Sequence, residues 1–228
     1  MTLDPSTRTL NMRRRRDRIL DHARRLIGRQ GYDALTLREL AQAAEVTVPT
    51  IYNLVGNKAQ LLGELNREML DRLEAALDRR RFDDALDMAE AVIAESIALF
   101  DSDPDFYRAA LISGEYLDES DPSVQSVSSR SRRLPTLACE RAQAAGLLRG
   151  QIAPEILGDQ IFRSYRTACR DWAHRKISLD QFKRKALISV YVCLAADAAE
   201  RLRMQLIDKI AALQSRTDSR KRHHDLAS

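Results

Sequence analysis

A chain of 228 residues, 44% hydrophobic and 31% charged, can bury the core of one medium domain or of a small domain joined to a larger one, and its 8 Gly, 6 Pro and 5% aromatics argue for helices and against a β-sandwich. The net charge of +4 is uneven: residues 1–58 hold 11 Arg/Lys against 6 Asp/Glu, whereas residues 59–213 hold 22 against 25, so positive charge gathers at the two ends. Cys139, Cys169 and Cys193 are too widely spaced for a disulfide framework or a zinc site, and the longest nearly apolar run, Ala186 to Ala196, falls short of the roughly 20 residues that span a bilayer, so a cytoplasmic protein without membrane contact is expected.

Residues 1–15 read as a flexible basic arm, leading into the block Arg13–Arg16. These four arginines either form an arm that follows nucleic-acid phosphates or enters the minor groove, or make the solvated first turn of a helix. A first helix is expected from about Arg16 to Gln30, with Ile19, Ala23, Leu26 and Ile27 on one face. Gly31 ends it, because glycine accepts the left-handed conformation of a helix C-cap. Thr36 is placed to cap a second helix, and Glu39 three residues later completes a capping-box pattern. Leu40 and Ala44 lie on one face of that helix, Val46 fills a tight turn, and Ile51 and Leu54 lie on one face of a third helix. Thr47 caps this third helix, and Pro49 sits in its first turn, where a missing N–H does no harm. This is the spacing of a helix-turn-helix. It leaves Thr47, Val48, Thr50, Tyr52 and Asn53 facing outward, the position from which such a motif reads the major groove of double-stranded DNA.

Gly56-Asn57 breaks the chain before a fourth helix, which starts near Lys58 and repeats apolar residues at Leu62, Leu65, Met69, Leu73 and Ala76. Beyond Arg81, five more helical segments are expected at about 83–101, 104–117, 123–146, 154–175 and 179–213, with Pro135 kinking or delaying the third of them. Residues 214–228 read as a basic disordered tail. The expected protein is all-α, with a helix-turn-helix domain at 16–57 and a larger helical domain at 58–213.

The stretch Ile19-Leu20-Asp21-His22-Ala23-Arg24-Arg25-Leu26, then Gly31-Tyr32, then Leu35-Thr36-Leu37-Arg38-Glu39-Leu40-Ala41, then Ile51-Tyr52, Lys58 and Leu61-Leu62, resembles the N-terminal domain of the TetR/AcrR family of transcriptional regulators over about residues 14–63. Farther along, Gly146-Leu147-Leu148-Arg149 resembles a common feature of that family. Two departures stand out. Glu45 occupies a turn position where the family has glycine, a substitution that costs about 1–2 kcal/mol if the backbone there is left-handed. Leu54 stands where the family tends to place an aromatic residue.

The resemblance implies roles for residues of the motif. The Tyr52 hydroxyl reaches a phosphate, and Lys58 supplies positive charge at the start of the fourth helix. Thr36 and Arg38 stand at the opening of the second helix, where backbone N–H groups favour an anion. Thr47, Val48, Pro49, Thr50 and Asn53 form the surface toward the base edges, with Asn53 able to pair bidentately with adenine.

The resemblance further implies a repressor whose C-terminal domain dimerises and binds a small-molecule effector. The segment 179–213 lends support, because Leu187, Ile188, Val190, Tyr191, Val192, Leu194 and Ala195 cover most of its circumference. With Ile156, Ile161, Phe162, Tyr165, Ala168 and Trp172 of the preceding segment, it suits a four-helix bundle across a two-fold axis, a homodimer through the last two helices. Phe100, Phe106, Tyr107, Tyr116, Phe162, Tyr165, Cys169 and Trp172 are either core or the wall of an effector pocket. No cofactor or metal is expected. Catalysis is not expected either, since His22, His174, His223 and His224 are scattered and no nucleophile motif occurs. The competing expectation is a ligand-free, architectural DNA-binding protein with a collapsed C-terminal core.

Overall fold

The computed structural model describes residues 5–78, 85–115 and 122–225. Within them the chain is all-α, with ten helices. They are α1 (Pro5–Gln30), α2 (Leu37–Ala43), α3 (Val48–Val55), α4 (Lys58–Asp78), α5 (Ala85–Ser102), α6 (Pro104–Gly114), α7 (Pro122–Ala144), α8 (Pro154–Ala173), α9 (Leu179–Ala195) and α10 (Glu200–Asp225). The chain divides into two compact units, residues 1–74 with 99–128, and residues 75–98 with 129–228. The first unit therefore takes in α6, beyond the boundary at 57/58 read from the sequence, because α6 packs on α1.

In the first unit the apolar face of α1 is fully realised: Ile19, Ala23 and Ile27 are completely buried, together with Leu40, Ala44, Ile51, Leu61, Leu62 and Leu65. α1 packs against α2, α3 and α6. Its crossing with α6 is close at Gly28, where an added Cβ would lie 3.3 Å from the Phe106 backbone nitrogen. Beside this crossing the Arg24 guanidinium stands 4.6 Å over the Phe106 ring and pairs with Glu68 of α4 at 3.1 Å. A second tie between α1 and α4 is the ion pair of Arg16 with Glu64, which also pairs with Arg67.

Several boundaries differ from the sequence reading. α1 begins at Pro5, not near Arg16, so the basic block lies on a helix and the flexible arm is not observed from Pro5 onward. Residues 6–15 contain neither glycine nor proline, and a proline at the first helical position has its φ already set for a helix. The expected segment 179–213 is two helices, α9 and α10, broken at Ala196–Ala199. α10 continues to Asp225 through residues that again lack glycine and proline, in place of the expected disordered tail. α7 passes through Pro135 as one helix.

In the second unit α9 packs on α8 and on α10. The core holds Trp172, Phe182, Ala186, Val190, Tyr191, Leu194, Leu202 and Leu206. Two close contacts shape it. Gly158 of α8 lies directly against Thr136 of α7. The α9–α10 break is pinned by Asp197, which is 2% exposed. Its carboxylate accepts the Gly150 and Gln151 N–H groups at 2.9 and 3.0 Å, and its carbonyl accepts the Arg149 N–H at 2.8 Å. The Ala199 N–H returns a bond to Leu147, so the Gly146–Arg149 stretch and the α9–α10 joint pair like two short strands.

Candidate nucleic-acid interface

The helix-turn-helix is built by local capping. Thr36 caps α2, its hydroxyl accepting the Glu39 N–H at 3.1 Å. The expected capping box is only half formed, because the Glu39 carboxylate instead accepts from the Gln30 amide at 2.8 Å, tying α2 to the end of α1. Complete reciprocal pairs occur elsewhere, between Ser178 and Gln181 and between Asn57 and Gln60. The second of these starts α4 directly after Gly56, whose φ of 84° and ψ of −151° suit only glycine.

The turn residue Glu45 has φ 53°, the left-handed region in which a side chain is strained. Its side chain is exposed. Glu45→Gly is therefore expected to raise stability by about 0.5–1 kcal/mol, the relieved strain exceeding the entropy that glycine adds to the unfolded chain. Thermal unfolding of the two proteins measures it, and a less stable variant would show that the Glu45 side chain makes a contribution its exposure conceals.

α3 buries Ile51 and Val55 and leaves Leu54 half-buried, so its apolar face anchors it to the unit. Thr47 caps it and is exposed, as are Pro49, Tyr52 and Asn53; Val48 and Thr50 are half-buried. The Tyr52 ring is 56% exposed, high for so large an apolar surface, and leaves its hydroxyl free to meet a partner. The Thr47 and Thr50 hydroxyls bond each other at 2.9 Å, with either able to donate. Thr36 and Arg38 at the start of α2 are exposed too.

Lys58 is held in a way the sequence reading missed. Its ammonium donates to the Asp33 carbonyl at 2.9 Å and sits 4.5 Å from the centre of the Tyr32 ring. Burial, with the Asp33 charge beside it, raises the Tyr32 phenol above its ordinary value, so the ring under the ammonium is neutral. Lys58 thus ties the start of α4 to the α1–α2 turn, with part of its three-donor capacity left for a phosphate. A cation–π contact between residues 26 positions apart has no periodic signature in sequence.

The candidate effector residues divide between the units. Phe100, Phe106 and Tyr107 are buried in the first. The Tyr107 ring packs 5.6 Å from Phe100 and 5.1 Å from Phe106, and its buried hydroxyl has no hydrogen-bond partner among the described residues. In the second unit Phe162, Cys169 and Trp172 are buried, and Tyr165 stands edge-on to Phe182 at 5.7 Å. Burial pushes the Cys169 thiol up to about 12, far from the thiolate that redox or nucleophilic chemistry needs. Tyr116 lies outside the described residues. Among the described residues no cluster could hold a metal ion, and no helix is long and apolar enough to cross a membrane.

Ile156 of α8 and Val192 of α9 are 57% and 54% exposed, so these two helices keep apolar residues outside the core of their unit. They are the helices in which the sequence reading placed the dimer contact; α10 follows them.

Residues 19–65 match the model of the bacterial regulatory proteins of the TetR family. The HTH-type transcriptional repressor KstR of Mycolicibacterium smegmatis is 40% identical over 68 residues, 29% of this chain and 33% of the repressor, so the chain matches about a third of that relative's length. Solved structures extend the likeness beyond the matched stretch. SmeT, the repressor of the Stenotrophomonas maltophilia multidrug efflux pump SmeDEF, superposes with a TM-score of 0.64 at 19% identity, over 82% of this chain and 92% of SmeT. FadR from Bacillus subtilis in complex with stearoyl-CoA gives 0.64 at 18% identity, over 76% of this chain and 96% of FadR. At these identities the structures establish the fold.

Proposed function

We propose that this chain is a TetR-family transcriptional regulator, a homodimeric repressor of a palindromic operator that is released by a small-molecule effector bound in the helical region after α4. The observation that carries the reading is the form of α3: a capped helix anchored by buried Ile51 and Val55, presenting Thr47, Pro49, Tyr52 and Asn53 to solvent. Such a helix offers few base contacts alone. Two of them, one helical turn of DNA apart, read a palindrome with combined affinity. Exposed Ile156 and Val192 support dimerisation through α8 and α9.

The effector reading is supported by the Tyr107 hydroxyl, buried between aromatic rings without a hydrogen-bond partner among the described residues, which suits an apolar molecule bearing a hydrogen-bonding group. The FadR neighbour, with its stearoyl-CoA, is an instance of this fold holding an amphipathic molecule. Tyr107 adjoins Phe106, whose backbone meets α1 at Gly28, so a molecule bonded to Tyr107 acts on the α1–α6 crossing. Release requires that the effector bind the DNA-incompetent state more tightly.

Electrophoretic mobility shift on the DNA upstream of the gene tests the reading. The wild type is expected to bind a palindrome there specifically at moderate salt, and absence of specific binding to any palindrome would sink the proposal. Asn53→Ala is expected to cost about 1–3 kcal/mol and to relax preference at one base pair of each half-site. Tyr52→Phe and Lys58→Ala should weaken binding alike on all sequences, and Lys58→Ala should also loosen the α1–α2 turn. A change confined to sequence preference would remove Tyr52 and Lys58 from the phosphates.

A further inference from the structure

We infer that the N-terminal turns of α1 form a second DNA-contacting surface, a phosphate rail made by Arg13, Arg14 and Arg15 and excluding Arg16; this rests on the DNA-binding reading above. The four arginines are equivalent in sequence but not in the fold. Arg16 is half-buried and paired with Glu64 of α4, a carboxylate it shares with Arg67, so its guanidinium is engaged by the protein. Arg13, Arg14 and Arg15 are exposed and have no ion-pair partner among the described residues. α1 is continuous from Pro5, so they are carried on a helix, where successive side chains are about 100° apart. They fan over roughly 200° of its circumference.

Helical form decides how such a surface meets DNA. An extended arm can enter the minor groove, but a helix about 10–12 Å across cannot enter a groove about 6 Å wide. Guanidinium groups on long side chains can still reach phosphates along the groove edge, where planar bidentate pairing is available. The contact is therefore with the backbone flanking the bases read by α3. It adds affinity and salt dependence but no sequence information.

The test is a salt titration of binding to two duplexes of equal length, the upstream operator fragment and a random sequence, for the wild type, R13A/R14A/R15A, R13K/R14K/R15K and R16A. The alanine triple is expected to flatten the slope of log affinity against log salt by about 0.9 for each phosphate contact removed. It should weaken both duplexes by the same factor, and the lysine triple should restore most of the slope. R16A should leave the slope unchanged and lower the melting temperature. An unchanged slope in the alanine triple overturns the inference, as does a loss confined to A·T-rich sequence, which would mean minor-groove reading. A slope change in R16A equal to that of its neighbours would overturn the exclusion of Arg16. Should the triple keep its DNA slope yet lose binding to phosphatidylserine vesicles, the surface belongs to lipid and the inference fails. A wild type that binds neither duplex refutes the regulator reading itself, a result distinct from all of these.

Discussion

Gly158→Ala is expected to destabilise the α7–α8 unit by about 3 kcal/mol, at the upper end of what one added methyl group costs in a packed interior. A Cβ at residue 158 would stand 2.4 Å from the Thr136 hydroxyl oxygen, 2.7 Å from the Thr136 Cα and 2.8 Å from its backbone nitrogen. The hydroxyl could rotate away, although it bonds the Arg132 carbonyl. The Cα and nitrogen cannot, since they belong to the body of α7. Either the helices separate and the buried Leu157 and Ile161 lose contacts, or the backbone distorts. Urea unfolding measures the loss. Gly114→Ala is the control: it lies in α6 with open space around it, and alanine there should be neutral or stabilising. A Gly158→Ala protein within about 0.5 kcal/mol of the parent would mean that α7 and α8 are held less tightly than their geometry implies.

Asp197→Ala comes next, with an expected loss of about 2–4 kcal/mol from two charge-assisted hydrogen bonds. The carboxylate holds the Gly150 and Gln151 N–H groups, and Gly150 reaches it with φ 76°, a conformation available to glycine at no steric cost. Without the carboxylate, the joint keeps the Arg149–Asp197 and Ala199–Leu147 backbone bonds and the exposed ion pair of Arg149 with Glu200. Asp197→Asn separates shape from chemistry. Its amide offers one acceptor oxygen where two donors converge, and its NH2 would confront an N–H, so it should recover no more than half of the loss. Full rescue by asparagine would show that space-filling matters more than the paired acceptors.

These two residues also mark where the sequence stops being readable. The helix-turn-helix was legible because its signals are local: Thr36 and Thr47 cap the helices they precede, and the apolar spacing of Leu40, Ala44 and Ile51 matches their complete burial. The α9–α10 break was not legible. Ala195-Ala196-Asp197-Ala198-Ala199 favours continued helix on local grounds, and the chain opens there because Asp197 turns to amides 47 and 46 residues away. The reach of α1 back to Pro5 was misread for the opposite reason. A charged run suggested disorder, while nothing in residues 6–15 prevents a helix. Arg16 looked like its three neighbours until α4 supplied Glu64. For Phe100, Phe106 and Trp172 burial was legible, but periodicity records only that a side chain is inside, not whether a ligand shares the space.

The bond between the Thr47 and Thr50 hydroxyls carries a consequence for the proposed reading of DNA. One proton lies between the two oxygens, and either residue can supply it. Reversing that proton exchanges which threonine offers its remaining O–H outward and which offers a lone pair. At a base edge the pair would thus act as an exchangeable donor–acceptor couple, able to meet a carbonyl oxygen or an amino group at the same place by a rotation of two hydroxyls. If α3 reads base edges as proposed, operators should tolerate substitution at the base pair facing these threonines while holding firm at the one facing Asn53. A consensus assembled from many bound sequences would show that contrast as one degenerate column beside an invariant one.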